Sequence, residues 1–186
     1  MTSGPDKMPN EQTVKNDLKA QMERVALELV EGRGAHVDPI GCIEDLRAEV
    51  ACRKPAGFEH SIYEIVAHLN YWMEYDMKRM RGTPDPYPAH AAESWPSSEN
   101  APDTDWKKIV DRFRELLRGL ESVCRSDASV WMQQAPATHP SHERNASTVG
   151  AMIFQLIAHN SYHIGQIVDL RRALGAWPPA KGGDTW

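Results

Sequence analysis

Along four segments of the chain, apolar residues recur at intervals of three and four, which is the spacing of one face of an α-helix. The first such segment, residues 11–34, ends in the two glycines of GRG, and glycine commonly stops a helix. We therefore predict one amphipathic helix here. Its apolar stripe consists of Val14, Leu18, Met22, Val25 and Leu29.

The second long segment, residues 61–82, has a marked beginning. Ser61 and Glu64 stand three residues apart, in the order of a capping box, where each side chain can satisfy a free backbone amide of the other residue. An apolar stripe follows, and His68 lies within or beside it. The pattern predicts a helix that ends near Gly82.

Two more long helices are predicted over residues 103–124 and 148–175. The second of them is apolar around most of its circumference, which is typical of a helix buried on most sides. A shorter helical piece is predicted within residues 38–55. Because no segment shows a convincing strand pattern, the fold class that we expect is all-α.

Long irregular connections separate these helices. Residues 83–103 contain five prolines and no helical period, and residues 135–148 are a second stretch of this kind. Four long helices joined in this way predict a four-helix bundle with long crossover loops and a short additional helix. At 186 residues, we expect a single domain over residues 11–186, preceded by a flexible segment of residues 1–10.

Charge and composition exclude several classes of function. The net charge is −5 and no run of lysine or arginine is long enough to neutralise a phosphate backbone, so nucleic acid is not an expected partner. No window approaches the roughly 20 apolar residues of a membrane span, and the chain begins without the apolar core of a signal peptide. We therefore expect a cytoplasmic protein that does not bind membranes. Three widely spaced cysteines without a CxxC motif indicate neither a disulfide framework nor a sulfur-ligated zinc site.

Candidate chemistry is concentrated in the last helix, in the stretch AHNSYHIGQ. His159 and His163 are four residues apart, so on a helix they project from nearly the same face, about 6 Å apart along the axis. This spacing alone is a weak motif, because eight histidines placed at random would give about 0.3 such pairs. The two residues are either metal ligands or core histidines.

A third histidine bears on this choice. The stripe that carries His68 should face the same core, which would bring one more ring nitrogen from another helix. A divalent cation would satisfy buried ring nitrogens that otherwise need several polar partners in an apolar region. From the residues alone, both interpretations stay open. His60 lies at a helix margin, where a solvated histidine is usual.

Two stretches, HSIYEIVAHLNYW and HNSYHIGQIVDLRRALGAW, resemble the DinB-like, or YfiT-like, superfamily of bacterial metal-dependent proteins, and the resemblance extends over nearly the whole chain after its first ten or so residues. It implies a four-helix bundle, often a homodimer, that binds a divalent metal through three histidines. The matching positions are His68, His159 and His163. The metal in such proteins is commonly nickel or zinc. Some relatives are transferases or isomerases that use a low-molecular-weight thiol, so a thiol is a candidate cofactor.

An ion held by three histidines with an open position would lower the pKa of a bound water towards about 7, or would hold a thiol as the thiolate. The catalytic group would then be that water or thiolate. Side chains expected to support the ligands are Gln166, Tyr75 and Glu64, of which Gln166 is preferred. Arg171 and Arg172 either stabilise the end of the last helix or bind acidic groups of a cofactor.

Three hypotheses on function follow. The first is a metal-dependent transferase or hydrolase, which requires a cavity that opens onto the ion. The second is a non-enzymatic metal-binding or stress-associated protein, in which the ion is closed off from solvent. The third is a structural dimer with a vestigial site. We prefer the first.

Overall fold

The computed structural model describes residues 11–96, 103–139 and 147–183, and its regular structure is helical. These residues form six α-helices and one 3₁₀ helix, and no β-strand occurs among them, so the predicted all-α fold class is confirmed. The α-helices are α1 (Glu11–Val30), α2 (Ala48–Ala51), α3 (Ile62–Met80), α4 (Asp103–Cys124), α5 (Ala128–Trp131) and α6 (Val149–Ala173), and the 3₁₀ helix is Ala91–Ser94. The segment of residues 1–10, predicted to be flexible, lies outside the described residues.

Helix α3 begins at the predicted capping box and ends at the predicted glycine. The hydroxyl of Ser61 accepts a hydrogen bond from the backbone amide of Glu64 at 3.2 Å, and the Glu64 carboxylate accepts one from the Ser61 amide at 2.9 Å. This capping box satisfies amides that have no partner within the helix. Gly82 follows the last turn with a φ of +78°, a left-handed conformation that side chains disfavour and glycine adopts freely.

Helices α3 and α4 run parallel. The Asn70 side-chain amide donates to the carbonyl of Ile109 at 2.9 Å, and further along both helices Glu74 pairs with Arg112 at 3.0 Å. A connection between parallel neighbours must return along the whole helix, and the 19 residues of α3 span about 28 Å. This geometry accounts for the long proline-rich connection that the sequence places between the two helices.

Helix α6 is the central element of the fold. It contacts α1, α3, α4 and α5, which explains why its sequence is apolar around most of its circumference. It runs antiparallel to α3, since Asn160 lies against Met73 while His163 lies against His68, nearer the start of α3. The core between α3, α4 and α6 includes the fully buried side chains of Leu69, Met73, Phe113, Leu120, Ile153 and Leu156.

Helix α1 is present as predicted, but most of its apolar stripe is exposed. Val14, Leu18, Met22 and Val25 have exposed fractions of 50%, 56%, 36% and 40%. The helix packs instead through its last turns, where Ala26, Leu27 and Val30 are buried. In the preceding turns, the face that contacts the protein is polar, with the ammonium group of Lys19 over the Trp131 ring at 5.6 Å.

The segment before α2, predicted to be helical, is mainly a series of turns. An ion pair between the buried Arg171 and the partly exposed Asp45 connects it to the end of α6. The guanidinium of Arg171 donates to both carboxylate oxygens of Asp45, at 2.6 and 3.1 Å, and to the carbonyls of Cys42 and Ala176. Burial alone would raise the pKa of Asp45, but the hydrogen bonds from Arg171 and from the Ala180 amide hold it below its usual value. Arg171 therefore has a structural role in this fold.

Among the described residues, no helix has both the length and the apolar character that crossing a membrane requires.

We predict that Arg171→Met lowers the free energy of unfolding by about 2 kcal/mol, because the substitution removes the side-chain donor of two backbone carbonyls and leaves Asp45 with only the Ala180 amide. The matched control is Arg172→Met. Arg172 is exposed, and its pairing with Asp169 at 3.2 Å is worth less than about 1 kcal/mol. Urea denaturation of both variants measures the difference. Equal, small losses in the two variants would contradict the structural role of Arg171.

Candidate metal centre

Three histidines meet where α3 packs against α6. His68 projects from α3, and His159 and His163 project from consecutive turns of α6. One nitrogen of each ring lies within 4.8 Å of a nitrogen of the other two. Two nitrogens bound to one zinc lie no more than about 4.2 Å apart, because a zinc–imidazole bond is about 2.0–2.1 Å long. Small rotations of the three side chains would therefore bring these nitrogens onto one ion.

Hydrogen bonds select the nitrogen that each of two rings presents. Nδ1 of His163 lies 2.7 Å from the side-chain oxygen of Gln166, and Nδ1 of His68 lies 3.2 Å from the carbonyl and 3.1 Å from the hydroxyl of Ser94. The Ser94 hydroxyl donates its own hydrogen to the carbonyl of Ala91 at 2.8 Å, so it accepts from His68. Both Nδ1 atoms are therefore protonated donors, and both Nε2 atoms keep a free lone pair.

The ring of His159 differs from the other two. No hydrogen bond from another described residue reaches its nitrogens, although the residue is half-buried. A partly desolvated ring nitrogen without a partner is unfavourable. An ion shared with His68 and His163 would remove that cost, so the residues present fit a metal ion on the chemistry of their donor atoms.

The three imidazoles are neutral at pH 7. Burial, together with the nearby ring of His163, lowers the pKa of His68 and of His159 to about 4. Burial also lowers the pKa of His163, against an opposing effect of its hydrogen bond to Gln166. A neutral imidazole is the form that binds a metal, so these rings need not lose protons when they bind one near pH 7.

A tryptophan from the connection after α3 fixes the ring of His68. Trp95 stacks on His68 with ring centroids 3.7 Å apart, and His60 stacks on the opposite face of Trp95, also at 3.7 Å. His60 is thus part of the wall around the centre rather than the solvated residue that its place at a helix margin predicts. Sequence reasoning missed Ser94 and Trp95 as site residues, and the only signal was their position in a long connection.

Of the side chains predicted to support the ligands, the structure brings Gln166 to the centre. Glu64 caps α3 and pairs with Lys54 at 2.9 Å, and the hydroxyl of Tyr75 bonds to that of Thr138. The two cofactor-binding candidates, Arg171 and Arg172, pair with carboxylates near the end of α6.

A cavity of about 220 Å³ adjoins the centre at His159. The other lining residues are Trp72, Asp76, Tyr87, Gln155 and Leu156. Trp72 and Asp76 continue the helix face of His68 at intervals of four residues, and this spacing is the sequence signal that could have included Asp76 among the site residues. The arrangement is compatible with metal binding beside a space for a small molecule.

Comparison with known families agrees with this geometry. The family model of the DinB superfamily matches residues 40–167, more than two thirds of the chain, and the match includes the three histidines and Gln166. It includes neither α1 nor the two arginines at the end of α6. Neither the search of curated proteins nor the search of solved structures found a match. On the extent of the family match, the chain belongs to the DinB superfamily.

Proposed function

We propose that the protein is a divalent-metal-dependent transferase or hydrolase whose ion is bound by Nε2 of His68, His159 and His163. The observation that carries the proposal is the convergence of three ring nitrogens within 4.8 Å, with a cavity beside one of the rings. Three protein ligands leave a coordination position free, which is typical of catalytic rather than structural sites. A low-molecular-weight thiol is the co-substrate that we propose for the transferase.

The chain's own residues orient the ligands. Gln166 and Ser94 accept the Nδ1 protons of His163 and His68, which fixes the tautomer of each ring and makes Nε2 more basic. Trp95 covers one face of His68 and keeps water from it. When bound, a divalent ion would supply Lewis acidity, which promotes ionisation of a water molecule or a thiol at neutral pH.

The donor set narrows the choice of ion. Three imidazoles suit zinc, nickel, copper and iron, whereas calcium and magnesium prefer oxygen ligands. We propose nickel or zinc.

The cavity is what favours an enzyme over the non-enzymatic alternative. A protein that only stores or carries the ion needs no space for a second molecule beside it. Here the half-buried ring of His159 borders that space, so a small molecule in the cavity would lie next to the ligands. The third hypothesis, a vestigial site, is disfavoured for two reasons. Hydrogen bonds hold His68 and His163 in the tautomer that leaves Nε2 free to bind an ion. Burial favours the neutral form of His159, which is the form that binds a metal.

We predict that the wild-type protein, incubated with zinc and then desalted, retains about one ion per chain by elemental analysis. His163→Ala should reduce the zinc content to near zero, because two ligands from different helices bind weakly. His139→Ala, which removes an exposed histidine of a connecting segment, is the matched control and should leave the zinc content unchanged. Zinc that survives His163→Ala would refute the ligand assignment.

We predict that a small thiol reaches the ion. Addition of 2-mercaptoethanol to the cobalt-substituted protein should produce a new near-ultraviolet absorption band from thiolate-to-cobalt charge transfer, because one coordination position is open to the cavity. The same addition to His163→Ala should give no band. An unchanged spectrum in fully cobalt-loaded wild-type protein would favour the closed site of a non-enzymatic metal-binding protein.

We also propose that the protein is a homodimer that covers the exposed stripe of α1. The four exposed side chains of this stripe extend over about 16 Å of the helix; they are Val14, Leu18, Met22 and Val25. In a twofold dimer the same patch meets itself, so an apolar stripe is complementary to its own copy. Beside the stripe, Lys15 pairs with Glu11 and Arg24 with Glu28, so neither sign of charge dominates its border.

The dimer is tested by placing a charge in the stripe. Leu18→Glu should reduce the mass measured by light scattering from that of two chains to that of one, because a carboxylate would be buried without a partner. Met132→Glu, at an apolar residue that is 70% exposed outside the stripe, should leave the mass unchanged. A wild-type protein with the mass of one chain would refute this interface.

A further inference from the structure

The three-histidine centre is one end of a longer groove between α3 and α6. On α3 the residues that face the groove are His68, Trp72 and Asp76, and on α6 they are Gln155, His159 and His163. Because the helices are antiparallel, the end of the groove away from His163 lies between Asp76 and Gln155. Asp76 is eight residues after His68, a distance of about 12 Å along the helix.

Asp76 presents a carboxylate that the described part of the protein does not use. No hydrogen bond or ion pair from a described residue reaches it. Burial raises its pKa to about 6, and the positive charge of Arg79 only partly opposes this effect. The Nε–H of Arg79 is directed elsewhere, donating to the carbonyl of Pro136 at 2.7 Å. At pH 7.5 the groove therefore contains a partly desolvated negative charge without a bonded partner.

Aromatic rings line the same cavity as this carboxylate. Trp72 and Tyr87 line the same cavity, with ring centroids 5.8 Å apart. The ring of Tyr75 contacts both, with its centroid 5.5 Å from that of Trp72 and 6.0 Å from that of Tyr87. The face of an aromatic ring attracts a cation, and it attracts a cation more strongly when the site is shielded from water. A carboxylate beside aromatic rings is the chemistry that recognises an ammonium group.

We propose that Asp76, with Trp72 and Tyr87, binds an ammonium group of the substrate. This inference rests on the proposed function, because it places the reacting group of the same molecule at the three-histidine centre. Asp76 is not among the residues whose ligand atoms lie within 4.8 Å of one another at the centre, so the structure does not place it as a fourth ligand. The cavity of about 220 Å³ holds roughly seven water molecules at about 30 Å³ each, which suits a small amine-bearing portion of a substrate.

The probe for this site is benzylamine, which is protonated at pH 7.5, and its neutral counterpart is benzyl alcohol. Titrations followed by calorimetry should show that the wild-type protein binds benzylamine at least tenfold more tightly than benzyl alcohol. Asp76→Asn should abolish this preference. Glu74→Gln removes the same charge from the same helix, at a partly exposed residue that pairs with Arg112, and should keep the preference.

Stability measurements separate binding from folding. Since Asp76 has no bonded partner in the described structure, Asp76→Asn should melt at a temperature no lower than the wild-type protein. A large loss of stability in Asp76→Asn would show a structural role and would overturn the inference. Equal affinities of the wild-type protein for the amine and the alcohol would overturn it without recourse to any variant.

The titrations are run on zinc-loaded protein and on protein treated with a chelator, so that the two proposals can fail separately. Amine preference in both preparations supports the ammonium site whether or not the histidines bind an ion. Normal zinc content without any amine preference overturns the ammonium site alone. Amine preference in a wild-type protein that retains no zinc overturns the proposed function and leaves an ammonium-binding cavity.

Discussion

The packing of α3 against α6 places three imidazole rings side by side, two of them buried and that of His159 half-buried, and a desolvated ring nitrogen needs a partner. Gln166 and Ser94 supply partners for Nδ1 of His163 and His68, so the other nitrogen of each ring is left as an acceptor beside the ring of His159. Burial keeps all three rings neutral. Ring lone pairs that face one another without hydrogen-bond partners are unfavourable, and a cation between them removes that cost, so the metal proposal follows from the packing.

The same helix pair also explains where a substrate would lie. Residues spaced by four on α3 and on α6 form two facing rows, and the rows change in chemistry along their length. Imidazoles occupy one end, aromatic rings the middle, and the carboxylate of Asp76 the other end. The connection after α3 contributes to both the three-histidine centre and the cavity. Ser94 and Trp95 contact His68, and Tyr87 lines the cavity. That connection is long because α3 and α4 are parallel, so the topology supplies the segment that builds the site.

The positions of the helices along the chain were easier to predict from the sequence than the way in which the helices pack. Capping residues and a terminal glycine placed the helix of residues 61–82 close to the observed Ile62–Met80, because these are local signals. The same local pattern identified α1 but could not show that Leu18 is exposed, since periodicity does not reveal what covers a stripe. From the residues alone, a meeting of His68 with His159 and His163 was one of two open interpretations. The family resemblance favoured that contact, and residues outside its motifs, such as Trp95 and Asp76, were found only in the structure.

The central claim is that one ion is shared by three Nε2 atoms, and anomalous diffraction from crystals of the zinc-loaded protein tests it most directly. The account predicts a single anomalous peak about 2.0–2.1 Å from Nε2 of His68, His159 and His163, with the Nδ1 bonds to Ser94 and Gln166 intact. A peak on the Nδ1 side of these rings, or no peak between α3 and α6 in a crystal that contains zinc elsewhere, would contradict it.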